Sequence, residues 1–96
     1  MAHKTVKKDI TIKNKQGLHA RPAAIFVQVA NKFDSDISVT KDKEEVNGKS
    51  IMGILTLGAE QGTVICLKAT GPDAEEAVLE LEKILLAEET GLLGQG

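Results

Sequence analysis

The chain has 96 residues, 42% of them hydrophobic, with no Trp or Tyr and two Phe, so aliphatic side chains and alanine must fill the core of one small domain. Its formal net charge of −2 comes from charges of mixed sign. With no basic run and no aromatic platform for bases, the composition speaks against a nucleic-acid binder. No apolar segment approaches the roughly 20 residues that span a bilayer, and Met1 to Lys8 has charges but no apolar core, unlike a signal peptide. A soluble cytoplasmic protein is the simplest reading. The single cysteine, Cys66, excludes an intramolecular disulfide; within the apolar run Val64-Ile65-Cys66-Leu67 it is expected to be an inert core residue.

In chain order, Val6, Lys8, Ile10 and Ile12 alternate with mostly polar neighbours and predict a half-buried first strand. A polar loop ending at Gly17 follows. A helix is predicted from about Ala20 to Asn31, with Ala23, Phe26, Val27, Ala30 and Phe33 as its apolar stripe. Asp34-Ser35-Asp36 breaks it. Ile37 to Thr40 reads as a second strand, and Lys41 to Glu44 turns into a short third strand ending at Val46. Asn47-Gly48 is a turn dipeptide, and Ser50 is placed to cap a short helix that is apolar nearly all round. Gly58 to Gly62 ends that helix, and Thr63 to Ala69 is the fourth strand. Asp73 is expected to cap the last helix, whose buried stripe is Ala74, Ala77, Val78, Leu81, Ile84 and Leu85. Glu75, Glu76, Glu80 and Glu82 with Lys83 read as its solvated face, and Gly91 as its terminator. The order β-α-β-β-α-β-α predicts a two-layer α+β open-faced sandwich: a four-stranded antiparallel sheet with three helices on one face. One domain over 1–96 is expected, with a core of about 4–89 and a frayed tail at 90–96.

The stretch with the most chemistry is Gly17-Leu18-His19-Ala20-Arg21-Pro22-Ala23. Pro22 lacks an N–H and has φ near its helical value, which favours the first turn of a helix. His19 then sits at or just before the helix N-terminus, where free N–H groups and the positive dipole end favour an anion. With Arg21 two residues on, this makes a plausible site for carrying a phosphoryl group on an imidazole nitrogen. Imidazole is a good nucleophile whose pKa lies near neutral pH. Arginine and helix-end N–H groups would stabilise by position the charge spread over the equatorial phosphoryl oxygens.

Together with Asn47-Gly48-Lys49-Ser50-Ile51-Met52-Gly53, this motif resembles HPr, the histidine-containing phosphocarrier family of the bacterial phosphoenolpyruvate-dependent phosphotransferase system. The resemblance covers about Lys4 to Glu89, and the order of elements agrees. It implies that Enzyme I phosphorylates His19 on Nδ1, that Arg21 neutralises the transferring group, and that the group passes to EIIA domains of sugar permeases. Ser50 matches the serine that a dedicated ATP-dependent kinase, HPr serine kinase/phosphorylase, phosphorylates to regulate carbon use, with a transcriptional regulator as a further partner. Ala20, Arg21 and Ala24 with Ile51, Met52 and Leu55 match the family's docking face. The chain departs from many members in having Gln28 where they have a basic residue, with Asn31 one turn later. Unlike Crh-like relatives, it retains the histidine.

Blander readings stand beside these. A histidine at a helix start can be a surface cap without chemistry, and His3 in its charged tail is ordinary. Serine is a preferred helix cap without any phosphate. Ile51, Met52 and Leu55 could pack in the core, but a short helix apolar all round cannot bury every side, and an exposed apolar patch beside a reactive site is a partner surface. Alternatives to sugar uptake are a nitrogen-type regulator, a purely regulatory module acting through Ser50, and a phosphotransferase in its own right; the short chain with one histidine in a motif speaks against the last. No Cys/His cluster or nucleotide-binding glycine motif is present, so neither metal nor nucleotide cofactor is expected, and a monomer is expected because partners must dock in succession.

Overall fold

In the computed structural model, residues 4–88 are described; His3, Gly91 and the expected tail lie outside them. The strands are β1 (Lys4–Thr11), β2 (Asp36–Lys41), β3 (Glu44–Asn47) and β4 (Val64–Gly71), and the helices α1 (Ala20–Ala30), α2 (Ile51–Leu57) and α3 (Ala74–Leu86). The sheet order is β1-β4-β2-β3 with every pair antiparallel. The element order and the four-stranded sheet with three helices are those the sequence predicts.

Period-two alternation sorts the sheet into two faces. Ile10, Ile65, Leu67, Ala69, Ile37 and Val39 point to one side and are buried beneath Ala23, Phe26, Ala30, Ala77, Leu81 and Leu85 of the helices. Each strand's other set faces the open side: Thr5, Lys7 and Asp9 from β1 stand opposite Thr70, Lys68 and Cys66 from β4. Cys66 is therefore only half-buried and on the uncovered face, against the expected core position. The apolar run is real, but residues Ile65 and Leu67 take the core side and the intervening cysteine cannot. Lys8 has the opposite fate. It shares the helix side with Ile10, and its ammonium escapes the core by reaching the Glu82 carboxylate on α3 at 2.8 Å. Glu82 is consequently largely covered (17% side-chain exposure) rather than part of a solvated face.

Asp73 departs from expectation in a similar way. It occupies the cap position of α3 but makes no side-chain cap bond. Its carboxylate instead accepts from the Asp34 and Ser35 amides, both at 2.9 Å, and from the Ser35 hydroxyl at 2.5 Å. The β4–α3 turn is thus fastened to the loop after α1. Gly71 makes the approach possible: with φ +153°, a Cβ there would stand 2.6 Å from the Ser35 Cα.

The start of α1 holds a further irregularity. Ala20 has φ +35°, outside the regions that L-residues favour.

The Ser35 hydroxyl, then the Asp34 amide, hold the Asp73 carboxyl below its ordinary 3.8. A lowered folded-state pKa contributes stability that is complete above the unfolded value and is lost as pH falls through the folded one. Asp73→Asn should therefore lower the urea midpoint at neutral pH, and the gap between the two proteins should close as pH drops below about 4; a gap independent of pH would contradict this. Ala20→Gly should stabilise. Relief of a left-handed alanine gives about 1–2 kcal/mol, against about 0.4–1 kcal/mol for the extra freedom of the unfolded glycine chain. The same urea titration should show a net gain of about 0.5 kcal/mol.

Candidate functional site

The His19 loop is built from its backbone. Asn14, 1% exposed, donates from its carboxamide to the Ile84 and Ala87 carbonyls at 2.9 and 2.6 Å, anchoring the loop's entry to the end of α3. The Gly17 amide turns back to the Asn14 carbonyl at 3.0 Å. Gly17 has φ +73°, and a Cβ would lie 2.5 Å from the Ala59 carbonyl oxygen, so only glycine fits. The next residue, Leu18, is fully buried, and its amide donates to that Ala59 carbonyl at 2.8 Å. With Leu18 plugged into the core, His19 is left exposed at the N-cap position of α1.

His19 has extended backbone (φ −117°, ψ 164°), and its side chain makes no cap bond. The imidazole is thus not engaged with its own helix. Pro22 is buried in the first turn and, lacking an N–H, leaves no donor there to satisfy. Ala20 and Arg21 precede the first residues with intrahelical acceptors, so their N–H groups are open to an anion. Arg21 is exposed, and among the described residues its guanidinium has no ion pair or hydrogen bond to hold it elsewhere. Beside His19 lies a shallow depression lined also by Lys15, Gln16, Glu60 and Gln61. These four are legible in the sequence only as loop residues, with no chemistry; Glu60 and Gln61 come from a loop far along the chain, and only the backbone pairing of the two loops reveals them.

The second motif opens α2. Ser50 occupies its N-cap and accepts from the Gly53 amide at 3.1 Å, as predicted. Just before it, the Lys49 carbonyl accepts from the Asn31 carboxamide at 3.1 Å, while the Lys49 ammonium donates to the Phe33 carbonyl at 2.7 Å. Asn31 also donates to the Val27 carbonyl at 2.8 Å, closing the end of α1. These bonds put the start of α2 at the C-terminal end of α1, whereas the Leu18–Ala59 bond puts the end of α2 near the N-terminal end of α1. The two helices therefore run antiparallel, and Ser50 lies at the other end of the 11-residue α1 from His19, roughly 15 Å along the axis. Ile54 and Leu57 face the core, while Ile51, Met52 and Leu55 are exposed, Met52 at 69%. Ala20 and Ala24 are exposed on α1. Among the described residues no group of three or more His, Cys, Asp or Glu is arranged to hold a metal ion, and no helix is long and apolar enough to cross a membrane.

A family model described as the phosphotransferase-system HPr component phosphorylation site matches residues 6–87. The phosphocarrier protein HPr of Neisseria meningitidis serogroup B is 45% identical over 91 residues, spanning 95% of this chain and 98% of its own. The HPr-like protein Crh of Bacillus subtilis is 47% identical over 76 residues, 79% of this chain and 89% of its own. The crystal structure of the phosphocarrier protein HPr from Bacillus anthracis superposes with a TM-score of 0.83 at 47% identity, covering 84% of this chain and 96% of that one. An exposed histidine at a helix N-terminus, on this fold and within this family match, leads to one conclusion: the chain belongs to the HPr phosphocarrier family of the phosphotransferase system.

Proposed function

We propose that this chain accepts a phosphoryl group from phospho-Enzyme I on Nδ1 of His19 and hands it to an EIIA domain in sugar uptake, acting as a stoichiometric carrier rather than an enzyme. The observation that carries the reading is the placing of an exposed, uncapped His19 at the open N-terminus of α1 beside Arg21, which has no ion pair or hydrogen bond among the described residues. The neutral imidazole attacks phosphorus as the bond to the donor breaks. Negative charge spread over the equatorial oxygens meets the Arg21 guanidinium and the first-turn N–H groups, which stabilise it by position. Partners dock over Ala20, Ala24, Ile51, Met52 and Leu55, and a monomer keeps that face open to each in turn. The cytoplasm is the compartment where such a relay works.

Regulation through Ser50 forms the second part of the proposal. The Ser50 oxygen already receives a helix-end amide, so a phosphate there meets the positive end of α2 and leaves the fold intact. It adds about −2 charge beside exposed apolar side chains and weakens docking of Enzyme I, at a distance from His19 that excludes direct interference. The likeness to Crh, the catabolite repression HPr of Bacillus subtilis, supports a regulatory output alongside transport.

Incubation with phosphoenolpyruvate and Enzyme I should add one acid-labile phosphoryl group by intact mass, absent in His19→Ala; an unmodified wild-type chain would sink the carrier reading. Arg21→Ala should slow transfer by about 10²-fold, the scale of losing one charge-stabilising donor, with its urea midpoint little changed, and normal kinetics would remove Arg21 from the site. Ser50→Asp should raise the apparent KM for Enzyme I while retaining wild-type helicity; an unchanged KM would dismiss the docking block.

A further inference from the structure

The depression beside His19 has two walls from distant parts of the chain. Lys15 and Gln16 come from the β1–α1 loop, and Glu60 and Gln61 from the α2–β4 loop. The loops are bonded by backbone at several points: Leu18 amide to Ala59 carbonyl at 2.8 Å, Ile12 amide to Thr63 carbonyl at 2.9 Å, and Gly62 amide to Ile12 carbonyl at 2.9 Å. The Gln61 carboxamide adds a bond to the Lys13 carbonyl at 3.3 Å. The Glu60 backbone is itself held by the Thr63 hydroxyl on its amide at 3.2 Å and the Thr63 amide on its carbonyl at 3.0 Å. Its side chain is exposed and, among the described residues, has neither a hydrogen bond nor an ion pair. A carboxylate without a neutralising contact is therefore carried on a braced loop beside the histidine, and neither capping, packing nor pairing accounts for it.

Resting on the carrier reading, we propose that Glu60 tunes the phosphoryl-transfer potential of His19. The unphosphorylated imidazole carries no negative charge, whereas the phosphorylated ring brings up to two. Glu60 thus raises the free energy of the loaded state relative to the empty one, opposing Arg21, and makes the group easier to give up. Glu60 is a tuning residue and forms no bond to phosphorus.

The test is an equilibrium exchange in a His3→Ala background, leaving His19 as the sole one of the two histidines. The 15N-labelled protein with Glu60 intact is charged with phosphoramidate: the P–N bond to the reagent breaks, the bond to His19 forms, and ammonia leaves. It is then mixed with an equal amount of unlabelled Glu60→Gln variant and a trace of Enzyme I, and intact mass reads the distribution. The Glu60→Gln variant should hold the phosphoryl group about two- to fivefold more often, the scale of one exposed charge–charge contact. The preference should shrink towards unity in 1 M NaCl, as screening requires, and Glu44→Gln, the loss of an exposed charge outside the depression, should show none. An even distribution at low salt, a preference untouched by salt, or an equal preference in Glu44→Gln would each overturn the assignment. Failure of Enzyme I to catalyse any exchange would instead overturn the carrier reading. The hydrolysis half-lives of the two phosphoramidate-charged chains would then still decide the role of Glu60, a longer one for the Glu60→Gln variant supporting it and equal ones removing it.

Discussion

The arrangement of the site depends on a close backbone approach, the Leu18 amide on the Ala59 carbonyl, made possible because Gly17 has no side chain. A methyl group at residue 17 would strike the same carbonyl, so the loop before α1 and the loop after α2 could not meet. Their meeting does three things at once. It seats Leu18 in the core, which turns His19 outward; it brings the end of α2 to the start of α1; and it sets Glu60 and Gln61 across from the imidazole. The buried Asn14 carboxamide secures the other end of the loop on α3. The histidine is therefore held by neighbours on either side rather than by any cap bond of its own, which leaves the ring open to chemistry.

The two recognisable motifs turn out to occupy opposite ends of one antiparallel helix pair. In the proposed relay that geometry separates two tasks: the group is exchanged at one end, and regulatory charge is added at the other, beside the same exposed apolar strip. The latch of Asn31 and Lys49 across the ends of α1 and α2 keeps the strip in register. Ser50 is far enough away to leave the ring, Arg21 and the helix N–H groups unobstructed, yet it borders the exposed apolar strip proposed for docking.

Much of the fold was legible because hydrophobic periodicity and turn residues are local signals. The strand alternation, Pro22 at the start of α1, the Ser50 cap and the exposed part of α2 all appear in the structure where the residues predict them. The failures share a physical cause: each depends on which face a strand presents or on a partner distant in sequence. Cys66 sits in an apolar run, yet period two assigns it to the uncovered side. Asp73 looks like a cap but serves a loop 39 residues earlier, and Glu82 looks solvated but answers a lysine on β1. At the site, His19 and Arg21 were visible through helix-start chemistry, whereas Glu60 gave no signal, since its place is set by the pairing of two loops.

The pairing of β1 with β4 has a kinetic meaning. Lys4 lies opposite Gly71 and Thr11 opposite Val64, so joining the first strand to the sheet closes a loop that spans most of the chain. Non-local closure of this kind is slow compared with forming helices and with pairing neighbouring β2 and β3. The loop that presents His19 hangs directly from β1, and its clamp on Ala59 needs β4 already leading out of the α2–β4 turn. Completion of the His19 loop therefore waits on this non-local closure. A chain in which β1 is unpaired lacks the fixed backbone that sets His19 at the start of α1, so an ordered His19 loop is itself a report that β1 has joined β4.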